Sequence, residues 1–279
     1  MIRLTLISII VLTIPLEVFG QHAHYNVASN LSYLPEPVAD DYARSQCRLD
    51  VYTPKGKSDF ATIVWFHGGG LKGGTRQKGL KFAERFTKEG IAVVLVSYRL
   101  SPKVKHPVYI EDAAAAVAWT VRNIEKYKGN PKNVFVSGHS AGGYLTAIIG
   151  LDGKYLSKHN LSPDRLAGYM PIAGQMITHS TIREEREISK SRPLIDKYAP
   201  AYHVRKDARP FLCLVGSNDL PTRAEENLYF EAAMKAAGHK STRCLVVEGR
   251  NHGSIAGRFD QEDDEVALSM IRFVKEKSK

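Results

Sequence analysis

The chain has 279 residues, 43% of them hydrophobic and 24% charged, with a formal net charge of +10. That length suits one large globular domain with a sizeable core, and the balance excludes a disordered or fibrous chain. Three cysteines, Cys47, Cys213 and Cys244, form neither a disulfide framework nor a metal-ligand spacing.

In chain order, Met1-Ile2-Arg3 is a short positive segment, Leu4 to Leu16 is almost wholly apolar, and Val18-Phe19-Gly20 offers permissive residues for a cut. The pattern is that of a secretory signal peptide occupying residues 1–20. The apolar stretch is short of the ~20 residues a spanning helix needs, and Pro15 and Glu17 interrupt it, so no stable membrane insertion is expected. Residues 21–279 are expected to form a single domain, outside the cytoplasm. Removing residues 1–20 deletes one arginine and one glutamate, and the net charge stays at +10. The lysines of the C-terminal half are scattered rather than clustered, and no stripe of basic and aromatic residues points to nucleic acid.

Leu49 to Tyr52, closed by Thr53-Pro54, reads as an early strand. Ala61–Phe66 is a continuous apolar run, the mark of a strand buried on both faces. Lys78–Glu89 has helical period and ends at Gly90. Ile91–Tyr98 is a second buried strand. Pro107 opens a helix through the alanines of 113–116 to about Tyr127, stopped by Gly129-Asn130-Pro131. Val134–Ser137 is a strand, Ala141–Leu151 a helix and Leu166–Ala173 a strand. A charged, irregular segment then runs from Gly174 to Arg209. Phe211–Gly216 is a strand, and Thr222–Ala237 a helix with Thr222 and Glu225 as a capping box. Ser241–Val247 is a strand and Gln261–Glu276 the last helix. Cys213 and Cys244 fall in neighbouring strand runs, which leaves a bond between them open in an exported protein. The proline-rich stretch His22–Arg44 would be a weak hydrophobic cap at most.

Alternating strands and helices predict an α/β fold: a mostly parallel sheet with helices on both faces. Right-handed crossovers then bring the loops after the strands to one edge, where ligands bind. Two motifs sit there. His67-Gly68-Gly69-Gly70 ends the Ala61–Phe66 strand, and its bare backbone N–H groups are suited to hold an oxyanion. Gly138-His139-Ser140-Ala141-Gly142 turns a strand into a helix so sharply that the serine hydroxyl is left in the open. A side chain at Gly138 or Gly142 would strike the adjoining strand or helix, and strain is expected at Ser140.

A serine hydroxyl is a poor nucleophile without a base, and the base needs an orienting acid. Of ten histidines, His252 follows the Ser241–Val247 strand into a loop at the same edge. The acid should follow the preceding strand, where Ser217-Asn218-Asp219 lies. The order Ser140, Asp219, His252 is the order this architecture uses.

With these residues in place, the chain resembles the His-Gly-Gly-Gly carboxylesterase/lipase group of α/β-hydrolases. It is similar to the hormone-sensitive-lipase-like and the acetyl-xylan and feruloyl-esterase-like families. The matching segments are Leu49–Pro54, His67–Gly70, Ser97–Pro102, Asp112, Gly138–Gly142, Gly216–Asp219 and His252, over about residues 45 to 275. The resemblance implies an oxyanion hole of the Gly68, Gly69 and Ala141 N–H groups, and no cofactor or metal. It implies a structural His67 and an Asp112 that braces the loop near Arg99 or a helix terminus. Leu71 departs from relatives that place an aromatic residue after the glycines, and from formamidases that read His-Gly-Gly-Tyr-Trp. The expected reaction is hydrolysis of a small-molecule or glycan ester with a short acyl group. The rivals are an amidase or peptidase on the same scaffold, and a non-catalytic binding protein of this fold. Nothing in the sequence sets the oligomeric state.

Overall fold

The computed structural model describes residues 19–21, 24–38 and 40–278. The expected signal segment lies outside the described residues, apart from Phe19 and Gly20. The strands are β1 (Phe19–Gln21), β2 (Tyr25–Ser32), β3 (Arg48–Pro54), β4 (Phe60–Phe66), β5 (Ala92–Val96), β6 (Gly129–His139), β7 (Gly168–Ile172), β8 (Phe211–Asn218) and β9 (Thr242–Asn251). They form one nine-stranded sheet in the order β1-β2-β3-β5-β4-β6-β7-β8-β9. From β5 to β9 every neighbouring pair is parallel, and β1, β2 and β3 extend the sheet antiparallel at one side.

The helices are α1 (Asp41–Gln46), α2 (Leu80–Lys88), α3 (Val108–Asn123), α4 (Ala141–Leu151), α5 (Lys154–Ser157), α6 (Ser180–Glu185), α7 (Arg223–Ala236) and α8 (Glu265–Lys277). Val64, Phe66, Val94 and Val96 turn to one face of the sheet and pack with Ile110, Tyr144 and Phe230 of α3, α4 and α7. Ile63, Trp65, Val93 and Leu95 turn to the other face and pack with Phe82, Phe86 and Met270 of α2 and α8. A strand covered on both faces has no polar side to show, which is why β4 is buried at every position. Each fully buried Val, Leu, Ile or Phe contributes about 1.5–3 kcal/mol.

Several local expectations are corrected. Thr222 stands at the N-cap position of α7 but forms no capping box with Glu225: its φ is +67° and its side chain makes no capping bond. Its hydroxyl instead donates to Glu226 Oε1 at 3.2 Å. Gly129-Asn130-Pro131 does not merely end a helix; these residues begin β6, and Lys128 at φ +70° makes the turn. The last helix starts later than Gln261, at Glu265, and is capped by Asp264, whose carboxylate accepts from Ala267 N–H at 2.9 Å. Much of His22–Arg44 is no cap over the site, because Tyr25–Ser32 is the strand β2 beside β3. The 174–209 segment holds α6 and a 3₁₀ turn at Pro200–His203. Cys213 and Cys244 pair in register on β8 and β9, and all three cysteines are free.

Candidate active site

Four loops meet at the C-terminal edge of the parallel strands: 67–70 after β4, Ser140 after β6, Asp219 after β8 and His252 after β9. Ser140 has φ +57° and ψ −114°, a conformation that side chains disfavour. The surrounding backbone imposes it. A Cβ at Gly142 would lie 2.0 Å from the Phe66 carbonyl oxygen, and one at Gly138 2.6 Å from the same atom. The Ser140 N–H is held by Ile172 O at 2.8 Å. Ala141 opens α4, so its N–H is among the first four of a helix and has no intrahelical acceptor.

The glycine loop is fixed from behind. His67 Nδ1–H donates to Gly68 O at 2.9 Å, its ring stacks on Tyr98 at 4.4 Å, and Tyr98 O–H donates to His67 O at 2.8 Å. Burial, more than the nearby Lys78 charge, pushes the His67 pKa down to about 4, so the ring is neutral. Gly69 (φ +126°) needs its missing side chain, since a Cβ there would sit 2.0 Å from Gly73 O. A Cβ at Gly68 would lie 3.2 Å from Ser140 Cβ, so the loop abuts the serine. Leu71 is buried in the core. Asp112 accepts from Arg99 N, Nε and Nη2 at 3.0, 2.9 and 2.6 Å and so braces the following turn.

His252 bridges the other two residues. Its Nε2 lies 2.8 Å from Ser140 Oγ and its Nδ1 2.7 Å from Asp219 Oδ1. With a carboxylate on Nδ1, that nitrogen carries the proton and Nε2 accepts from the serine hydroxyl. The Leu220 N–H also donates to Asp219 Oδ1, at 2.7 Å. Burial works to raise the Asp219 pKa, but the His252 and Leu220 bonds and the His252 and Arg223 charges outweigh it and hold it below the usual value. Asp219 is therefore a carboxylate at neutral pH.

Sequence reasoning did not find the ring of His139. Its Nε2–H donates to the His252 carbonyl at 2.7 Å, tying the histidine loop to the nucleophile turn. Burial, with the His252 charge second, pushes its pKa down to about 4. Nor did it find Lys78, Gln175, His179 and Arg223, which line the cavity of about 630 Å³ that also holds Ser140, His252 and Gly68–Gly70. Gln175 and His179 come from the segment after β7. That segment is fastened to the glycine loop by the Thr181 hydroxyl on Gly70 O at 2.5 Å and by Lys72–Glu184 at 2.5 Å. Among the described residues, no cluster of three or more His, Cys, Asp or Glu could hold a metal ion. No helix there is long and apolar enough to cross a membrane.

Residues 49–165 match the BD-FAE family model. Esterase LipC of Mycobacterium tuberculosis is 24% identical over 217 residues, covering 68% of this chain and 52% of that protein. Arylacetamide deacetylase of Oryctolagus cuniculus is 40% identical over 106 residues, covering 36% of this chain and 27% of the relative. The chain thus spans about half the length, or less, of these two curated relatives. A solved carbohydrate esterase from gut microbiota, in truncated form, superposes with a TM-score of 0.73 at 20% identity, covering 94% of this chain and 98% of that one. Thermogutta terrifontis esterase 2 superposes at 0.67 with 24% identity, covering 82% of this chain and 87% of the other. The fold is that of the α/β-hydrolases. Over parts of its length the chain is similar to proteins named as an esterase and a deacetylase.

Proposed function

We propose that the protein is a serine hydrolase of carboxylic esters, with Ser140 as nucleophile, His252 as general base and acid, and Asp219 as the orienting carboxylate. The observation that carries this reading is the continuous relay from Ser140 Oγ through the His252 ring to Asp219, at 2.8 and 2.7 Å. Ser140 Oγ attacks the ester carbonyl carbon as its proton passes to His252 Nε2. The Gly68, Gly69 and Ala141 N–H groups receive the negative charge on the carbonyl oxygen. One such donor is worth about 3 kcal/mol of transition-state stabilisation. His252 returns the proton to the leaving alkoxide, which departs as the alcohol. Water, deprotonated by His252, then splits the acyl-enzyme into acid and free Ser140. The names of the relatives, an esterase and a deacetylase, agree with this chemistry.

The substrate is an ester with a short acyl group on a polar alcohol such as a sugar. A long acyl chain gains about 0.8 kcal/mol per CH₂ only where apolar walls cover it. The segment after β7 places Gln175, His179 and Ser180 on the cavity instead. The acyl series acetate, butyrate, octanoate and laurate on one phenol, run beside acetylated and feruloylated xylan, is the test. We expect kcat/KM to peak at acetate or butyrate and labelling by a fluorophosphonate to vanish in Ser140→Ala. A maximum at laurate overturns the short-acyl reading. Activity on phenyl esters with none on acylated xylan removes the carbohydrate.

A further inference from the structure

The cavity around Ser140 is lined by more hydrogen-bond donors than hydrolysis of a neutral ester uses. Lys78, Gln175, His179 and Arg223 lie on it, and among the described residues no aspartate or glutamate does. His179 is only 3% exposed. Its Nδ1 accepts the Thr181 N–H at 3.1 Å, so the ring proton is on Nε2, and that N–H meets no protein acceptor among the described residues. Burial and then the charges of Arg223, Arg183 and Lys72 hold the ring neutral, with its pKa pushed down to about 3. The Gln175 carbonyl oxygen is taken by the Ser180 N–H at 2.9 Å, which leaves its amide NH₂ free to donate.

Arg223 is 7% exposed, and its Nη1 donates to Ala173 O. Its Nε is buried without a hydrogen-bond partner among the described residues. The nearest carboxylate oxygen, on Glu226, is 3.9 Å from Nε. Glu226 already accepts from Met176 N–H at 3.2 Å and from the Thr222 hydroxyl at 3.2 Å. It also faces a second buried cation, Arg183. A buried guanidinium with its donors incompletely matched carries a desolvation cost that Glu226 and Asp219 offset in part, and a ligand carboxylate offsets more of it.

We infer that the site takes esters that also carry a carboxylate, held by Arg223 and Lys78 with His179 and Gln175 as neutral donors beside them. The inference rests on the serine-hydrolase reading and narrows its substrate to acidic esters. The carboxylate belongs either to the alcohol, as in an acylated uronic acid, or to the acyl group, as in the half-ester of a dicarboxylic acid. The net charge of +10 favours the approach of such substrates.

Calorimetric titration of Ser140→Ala, which binds without turnover, tests it with two matched pairs. Monomethyl glutarate is compared with dimethyl glutarate, and O-acetyl-galacturonic acid, with its carboxylate free, with its neutral methyl ester. At pH 7 the charged member of at least one pair should bind at least tenfold more tightly, and the pair shows which side carries the carboxylate. Adding Arg223→Met or Lys78→Met should bring the ratio near one. The ratio is read within each variant, so partial unfolding lowers both affinities and leaves it unmoved. Lys78 is exposed, and its replacement keeps the test open if Arg223→Met does not fold. Equal affinities in both pairs overturn the inference. So does a preference that survives both substitutions, because the carboxylate would then sit on the glycine loop. Turnover of 4-nitrophenyl acetate by the unaltered protein reads the hydrolase mechanism separately. Its absence would remove that mechanism whatever the titrations show.

Discussion

Ser140 is held in backbone dihedrals that its own side chain disfavours, φ +57° and ψ −114°, and two glycines make this affordable. The glycine positions are not equivalent, and alanine substitutions separate space from strain. Gly142→Ala drives a Cβ to 2.0 Å from Phe66 O, backbone against backbone. We expect a loss of at least about 3 kcal/mol, or no soluble protein. Gly249 has φ +70° and open space around it, so Gly249→Ala should cost only the left-handed penalty of about 1–2 kcal/mol. Urea unfolding compares them, and equal losses would sink the packing account. For the chemistry, Ser140→Ala and His252→Ala should each lower kcat by at least ~10³, and Asp219→Asn should also cost heavily because it favours the wrong imidazole tautomer. Steady-state rates on 4-nitrophenyl acetate decide this, and near-native turnover in Ser140→Ala would refute the mechanism. The three residues were legible in the sequence because each follows a strand of a parallel sheet, and chain order did the rest. His139, His179 and Arg223 were not. Their roles depend on depth and on which ring nitrogen finds a partner, and spacing along a chain carries neither.

At the scale of elements, the strands buried on both faces were the easiest to read, since a run such as Ala61–Phe66 has no polar alternation to confuse it. β2 escaped for another reason. Tyr25, Val27 and Leu31 alternate with polar residues, but Ser29 interrupts the row, and Asn30 at φ +60° sits in a register shift between Ala28 and Leu31. What holds the bulge is a contact from afar, the Asn30 N–H on Asp50 Oδ1 at 2.7 Å. α6 is six residues long and charged, too short to show a period, and is held by contacts to the glycine loop. β1 bears on the N-terminal segment. Its pairs with β2 are Phe19↔Ala28, Gly20↔Val27 and Gln21↔Asn26. Cleavage after Gly20 would leave Gln21 and make β2 the edge strand, still paired with β3 from Tyr25 to Ser32. We propose that the exported chain starts near Gln21. Its stability should then lie within about 1 kcal/mol of a chain that starts at Phe19, roughly one net backbone hydrogen bond. Intact mass of the exported protein and urea midpoints of the two chains check both points. A mature protein that keeps residues 1–20 would overturn the cleavage.

At the scale of the whole molecule, the sheet divides the interior into two apolar layers, and the neutral histidines buried at the active-site edge couple stability to pH. Burial pushes His67 and His139 down to about 4 and His179 to about 3, while the unfolded chain protonates its histidines near 6.5. Between pH 6.5 and 4 the unfolded state therefore binds protons that the native state does not. This part of the stability is fully present above pH 6.5 and is lost as pH falls toward 4. Each fully buried ring contributes at most about 1.4 kcal/mol per pH unit across that window. His106, also pushed down to about 4 chiefly by burial, and His139 are partly exposed and add less than His67 and His179. Glu226, raised chiefly by burial, binds its proton more readily in the native state and works in the opposite sense at the acid end. Urea midpoints at pH 7.5, 6.0 and 5.0, at fixed ionic strength because the +10 net charge also repels itself, should fall steadily with pH. His179→Phe, which fills the place beside Tyr144 with a ring that cannot titrate, should make the slope shallower by about one proton. A flat profile in the unaltered protein would mean that these rings carry charge in the native state. The neutral His67 that holds the glycine loop and the neutral His139 that holds the His252 loop would both have to be abandoned.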